Sequence, residues 1–78
     1  MLAAAQDQVP IFVSLAGTFG FHRFTEYSRT GADNGEWFAE TYALHLSDPN
    51  RLLQMNRSMF LWFEAGMPMS RTWRPPAP

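Results

Sequence analysis

The densest apolar patterning lies between Trp37 and Phe63, in three runs separated by polar punctuation. The first run, Trp37, Phe38, Tyr42, Leu44 and Leu46, follows Asp33-Asn34-Gly35-Glu36 and has helical spacing. Asp33 or Asn34 suits the N-cap, where a side-chain oxygen accepts a hydrogen bond from an otherwise orphaned backbone N–H. With Asp33 as cap, Glu36 falls at the third helical position and completes a capping-box pattern. A helix is expected over about 34–46. Ser47-Asp48-Pro49 then ends it and begins another, because Asp48 is a natural cap and proline loses nothing at a first helical position. This second helix, about 49–55, is expected to turn Leu52, Leu53 and Met55 inward and Asn50 and Arg51 outward. A kink at Asn56 leads to a third helix, about 57–65, rich in Met59, Phe60, Trp62 and Phe63 and stopped by Gly66 and Pro68.

The N-terminal third is patterned differently. Residues 3–8 read as a short helix closed at Val9-Pro10, since the residue before a proline disfavours the helical region. Ile11-Phe12-Val13-Ser14-Leu15 reads as a short strand or extended segment, although five residues do not separate strand from helix by period alone. Gly17 and Gly20 suggest a turn, and residues 19–32 show no clean period. Ser70 onward, ending Arg74-Pro75-Pro76-Ala77-Pro78, is expected to be a disordered proline-rich tail. The expected fold is mainly α: three short helices after an irregular or short-strand N-terminal segment. Residues 1–69 form a partial helical domain and 70–78 a flexible tail.

Composition narrows the functions open to such a domain. At 78 residues one small core is available, and a chain of this size buries only about 60% of its unfolded surface. Without cysteine it has neither disulfides nor a thiolate metal site. A net charge of -1 gives no electrostatic footprint for nucleic acid or an anionic membrane. No apolar run approaches the roughly 20 residues of a membrane span, and the apolar start lacks the basic stretch of a signal peptide. Three tryptophans and seven phenylalanines are many for one small core, an excess that an oligomer, a partner domain or truncation would explain.

The sharpest chemical feature is the pair Glu36 and Glu40, four residues apart and therefore on one helix face. Like charges at that spacing repel, and no Lys or Arg lies three or four residues away. Capping explains Glu36 as an acid near the positive end of the helix dipole. A solvated face explains Glu40, with Ala43 and Ser47 following on its side. A zinc site from this chain alone would need His22 and His45 to converge with these acids. His45, however, lies about 180° around the helix from Glu36. There is no His-Glu-x-x-His, no Gly-x-Ser-x-Gly elbow and no phosphate-binding glycine loop. Tyr27 could fold back over the helix start and donate to an oxyanion, or simply edge the core.

The run Tyr27-Ser28-Arg29-Thr30, followed by Glu36-Trp37-Phe38-Ala39-Glu40-Thr41-Tyr42, resembles the C-terminal part of the anthrax lethal factor-like zinc metallopeptidases. These gluzincins include peptidase domains in phage head-associated proteins. The resemblance extends over roughly residues 25–65, through the aspartate-proline step to the apolar run at Phe60, Trp62 and Phe63. It implies Glu36 as the third zinc ligand, Glu40 as the acid that supports a zinc-binding histidine, and Tyr27 as a helper at the reacting carbonyl of a protein or peptide substrate. Two departures accompany it. The spacing from Tyr27 to Glu36 is longer than the family's, and the His-Glu-x-x-His helix, which carries two ligands and the general base, is absent from these residues. The resemblance thus implies a metallopeptidase fragment, inactive alone, with zinc bound only when a histidine-bearing segment or another chain completes it. The associated location is a bacterial cytoplasm or phage virion. The competing expectation is a small helical interaction module, phage-associated in the same way, in which Glu36 only caps its helix.

Overall fold

Residues 6–26 and 33–77 are described by the computed structural model of the chain. They form four helices: α1 (Val9–Phe19), α2 (Asn34–Ser47), α3 (Pro49–Met55) and α4 (Arg57–Glu64). No strand occurs among the described residues, so the chain is mainly α, as its patterning implies.

The last three helices follow the punctuation. Asp33 Oδ1 accepts from the Glu36 backbone N–H at 2.8 Å, which fixes the start of α2. Asp48 and Asn56 each serve two helices, so α2, α3 and α4 follow one another with a single residue at each junction. The Asp48 N–H closes α2 on the Leu44 carbonyl at 2.7 Å, and its Oδ1 caps α3 by accepting from the Arg51 N–H at 3.3 Å. The Asn56 N–H closes α3 on the Leu52 carbonyl at 2.9 Å, and its Oδ1 caps α4 by accepting from the Met59 N–H at 2.9 Å. Both junction residues leave the helical region, Asp48 with φ -150° and Asn56 with φ -163°, so the chain turns sharply at each. Helix α4 ends in a Schellman arrangement, in which the Gly66 N–H bonds to Phe63 O and the Met67 N–H to Trp62 O, both at 3.0 Å.

Helix α1 corrects the expectation of a strand or extended segment at 11–15. Pro10 lies in the first turn, where its missing N–H is no loss, and so opens a helix instead of closing one. Gly20, at φ 69°, takes the left-handed conformation beyond the helix, and the Phe21 N–H bonds to Ala16 O at 2.9 Å. The buried residues are Ile11, Phe12, Leu15 and Ala16, a helical stripe that a five-residue window does not reveal. Of the helix expected at 3–8, residue 6 is helical and 7–8 form a turn, while 1–5 lie outside the described residues.

Phe12 is the hub of the core. Its ring meets those of Phe21, Trp37, Phe38, Trp62 and Phe63, with centroids between 4.8 and 6.3 Å away. Four of these five pairs are edge-to-face, the arrangement that puts a ring's positive edge against its neighbour's negative face. Helix α1 packs against α2 and α4, and α3 closes the bundle against both. The Cα radius of gyration is 11.7 Å, close to the roughly 11.5 Å of a compact domain of this length.

Phe12, Phe21, Trp37, Phe38, Trp62 and Phe63 are thus spent on the interior, and Phe19, Phe24, Tyr42, Phe60 and Trp73 pack partly buried against them. Among the described residues, the large apolar side chains left exposed are Leu46, Leu53, Met55 and Met69. Leu53 and Met55 depart from the inward positions expected for them. A seven-residue helix makes two turns, and only Leu52 faces the core. Residues 70–77 hold no regular element beyond a turn, but instead of the disordered tail expected they carry a packed side chain, Trp73, whose ring centroid lies 6.2 Å from that of Phe19.

Candidate functional site

Glu36 and Glu40 lie on the flank of α2 beside its buried residues Trp37, Phe38 and Thr41. Both acids are half-buried. Their positions follow from the Asp33 cap, which sets the first turn and thereby the rotation of every later side chain. Thr41, fully buried, donates its hydroxyl to the Trp37 carbonyl at 2.9 Å and so satisfies itself within the helix.

The segment after α1 folds across this flank. Thr25 Oγ1 donates to the Glu40 carboxylate, 3.1 Å from one oxygen and 3.0 Å from the other. Glu40 is thus a held acid and not the solvated one that its position alone suggests. One hydroxyl proton shared between two oxygens leaves that carboxylate with acceptor capacity to spare. Glu36 differs. Its backbone N–H is taken by the cap, and its carboxylate has no hydrogen-bond or ion-pair partner among the described residues. Arg23 lies close by, with its guanidinium 4.9 Å from the Trp37 ring centroid and Nη2 donating to Asn34 Oδ1 at 2.6 Å. Phe21 stacks on the Trp37 ring at 5.9 Å. The Trp37 indole N–H is buried and has no acceptor among the described residues.

Tyr27, the expected helper at a reacting carbonyl, lies outside the described residues, as do Ser28, Arg29 and Thr30. His22 is exposed. His45 is turned away from the acids of its own helix and toward α4, where Nε2 lies 2.6 Å from Glu64 Oε2. Its ring is stacked on Phe63 at 5.4 Å. No three His, Asp or Glu side chains converge as a metal site among the described residues. The chain's own described groups therefore do not make a complete zinc site, and what α2 offers is one unengaged carboxylate beside one held carboxylate.

Two contacts here have no sequence signal. Thr25 reaches Glu40 only because the chain reverses after Gly20, and His45 reaches Glu64 only because α2 and α4 pack side by side. The cap of α2, by contrast, is readable from Asp33 and Glu36 three residues apart.

No family model matches the chain, and no curated protein or solved structure matches it either.

Proposed function

We propose that this chain supplies one side of a gluzincin-like zinc metallopeptidase site. In that reading Glu36 is the carboxylate ligand, Glu40 orients a zinc-binding histidine, and Tyr27 assists at the reacting carbonyl. The histidines and the general base come from a segment outside these residues. The observation that carries the reading is the asymmetry between the two acids. Glu40 is held by Thr25 yet keeps accepting capacity, and Glu36, one turn away, is half-buried without a described partner. A carboxylate that orients a histidine must itself be fixed, and one that binds a metal must be deprotonated and reachable.

Joining a helix that carries His-Glu-x-x-His to the N-terminus through a flexible linker raises its effective concentration to the millimolar range. Zinc titrated into that fusion by calorimetry should bind, and Glu36→Gln should weaken binding by about ten-fold or more, as loss of one of three protein ligands requires. Glu40→Gln should weaken it as well, since partners of ligating histidines are worth about 10- to 100-fold in affinity. Equal affinity in the parent fusion and Glu36→Gln would overturn the assignment.

A second reading, a non-catalytic interaction module, draws on the exposed Leu46, Leu53 and Met55 of α2 and α3. There Glu36 is only a helix-start acid, and Glu36→Gln costs a few tenths to about 1 kcal/mol of stability and no activity.

A further inference from the structure

The chain beyond α4 is seated like a bound peptide. Gly66 at φ 86° and Met67 at φ 57° turn it back sharply. From there it runs along α1. Gln8 Nε2 donates to Met67 O at 3.1 Å, Trp62 Nε1 donates to Pro68 O at 3.0 Å, and Arg71 Nη1 donates to Pro10 O at 3.2 Å. Trp73 completes the seat by packing edge-on against Phe19 at the far end of α1. A local turn, with the Trp73 N–H on Ser70 O at 3.2 Å, shapes the segment between these anchors.

We propose that this seat accepts the same segment from a second copy of the chain, giving a dimer by reciprocal exchange of residues 68–77 about a hinge at Gly66 and Met67. The contacts of Pro68, Arg71 and Trp73 are made by the segment itself, so an exchanged segment re-forms them with its new host, while the Gln8–Met67 bond belongs to the hinge. What distinguishes the two states is the hinge. The closed turn places Met67, a residue with a β-carbon, in the left-handed region that L-residues disfavour. Opening the hinge releases that cost twice in each dimer, once per chain, and exchanges the turn bonds from the Gly66 and Met67 N–H groups for bonds to water. Gly66 already has the conformation that glycine tolerates, so the strain is concentrated at Met67.

Sedimentation of the full chain from micromolar to millimolar concentration reads the exchange. The parent should show a concentration-dependent dimer. Met67→Gly removes the strain from the closed turn and should raise the dimer dissociation constant by about ten-fold or more, because two hinges contribute. Gly66→Val adds strain to the closed turn and should lower that constant. In a mixture of isotope-labelled and unlabelled chains, contacts between the Trp73 indole and the Phe19 ring should then appear between copies. A chain that stays monomeric to millimolar concentration overturns the proposal. So does a dimer in which the Trp73–Phe19 contact stays within each copy, or one indifferent to Met67→Gly.

Discussion

Asn56 is where a small polar change should do the most damage. Its side chain carries two jobs at once: Oδ1 accepts from the Met59 N–H at 2.9 Å, and Nδ2 donates to the Phe19 carbonyl at 3.1 Å. The first bond starts α4, and the second ties the end of α1 to the α3–α4 junction. Losing an N-cap side chain costs about 1 kcal/mol. Losing a part-buried hydrogen bond to a carbonyl costs about 1 kcal/mol more. Asn56→Ala should therefore destabilise the fold by about 2 kcal/mol, a drop in melting temperature of about 10 °C for a domain of this length. Asn56→Ser keeps an acceptor for Met59 but has no reach to Phe19, and should lose about half as much. Asn56→Asp keeps the cap and sets a carboxylate against a carbonyl, so it should fall between the parent and Asn56→Ala. Urea unfolding followed by tryptophan fluorescence measures all three. If Asn56→Ala and Asn56→Ser both stayed within about 0.5 kcal/mol of the parent, the double role would be refuted.

Other substitutions test separate parts of the fold. Leu52→Ala empties a fully buried position in α3 and should cost about 2–5 kcal/mol, enough to leave so small a domain largely unfolded by circular dichroism at room temperature. Gly20→Ala puts a β-carbon at φ 69° and should cost about 1 kcal/mol in denaturant unfolding, a strain cost and not a clash, since nothing lies within 4 Å of the added carbon. Thr25→Val removes both hydroxyl contacts to Glu40 with little change in shape, and should lower stability by about 1 kcal/mol or less because the site is only part-buried. In the histidine-bearing fusion the same substitution should weaken zinc binding less than Glu36→Gln does. Leu46→Ser changes an exposed side chain and should leave the unfolding midpoint within about 0.5 kcal/mol of the parent.

The parts of this fold that could be read in advance are those written in short-range chemistry. Asp33 and Asp48 mark helix boundaries by capping, and capping acts over three residues, so the sequence exposes it directly, whereas Asn56 reads only as a kink and its cap on Met59 is seen in the structure. Helix α1 was hidden because proline is ambiguous. It closes a helix that precedes it and opens one that follows, and the choice here depends on Phe12 having five aromatic partners brought from elsewhere in the chain. Leu53 and Met55 are exposed for a related reason: α3 is too short to bury a stripe, and its exposure is set by how α2 and α4 flank it. The pairing of the two acids on one face was legible from their spacing. That Glu40 is held by Thr25, and that His45 is engaged by Glu64 across the bundle, are tertiary facts separated by 15 and 19 residues of chain.

The distinction between a cap and a ligand at Glu36 decides the functional reading. The direct measurement is the zinc absorption spectrum of the histidine-bearing fusion, compared between the parent and Glu36→Gln under conditions where both hold the metal. A carboxylate oxygen in the zinc coordination sphere of the parent, lost or replaced in Glu36→Gln while the fold persists by circular dichroism, is the expected result. Identical coordination in the two proteins would contradict it and leave Glu36 as a helix-start acid.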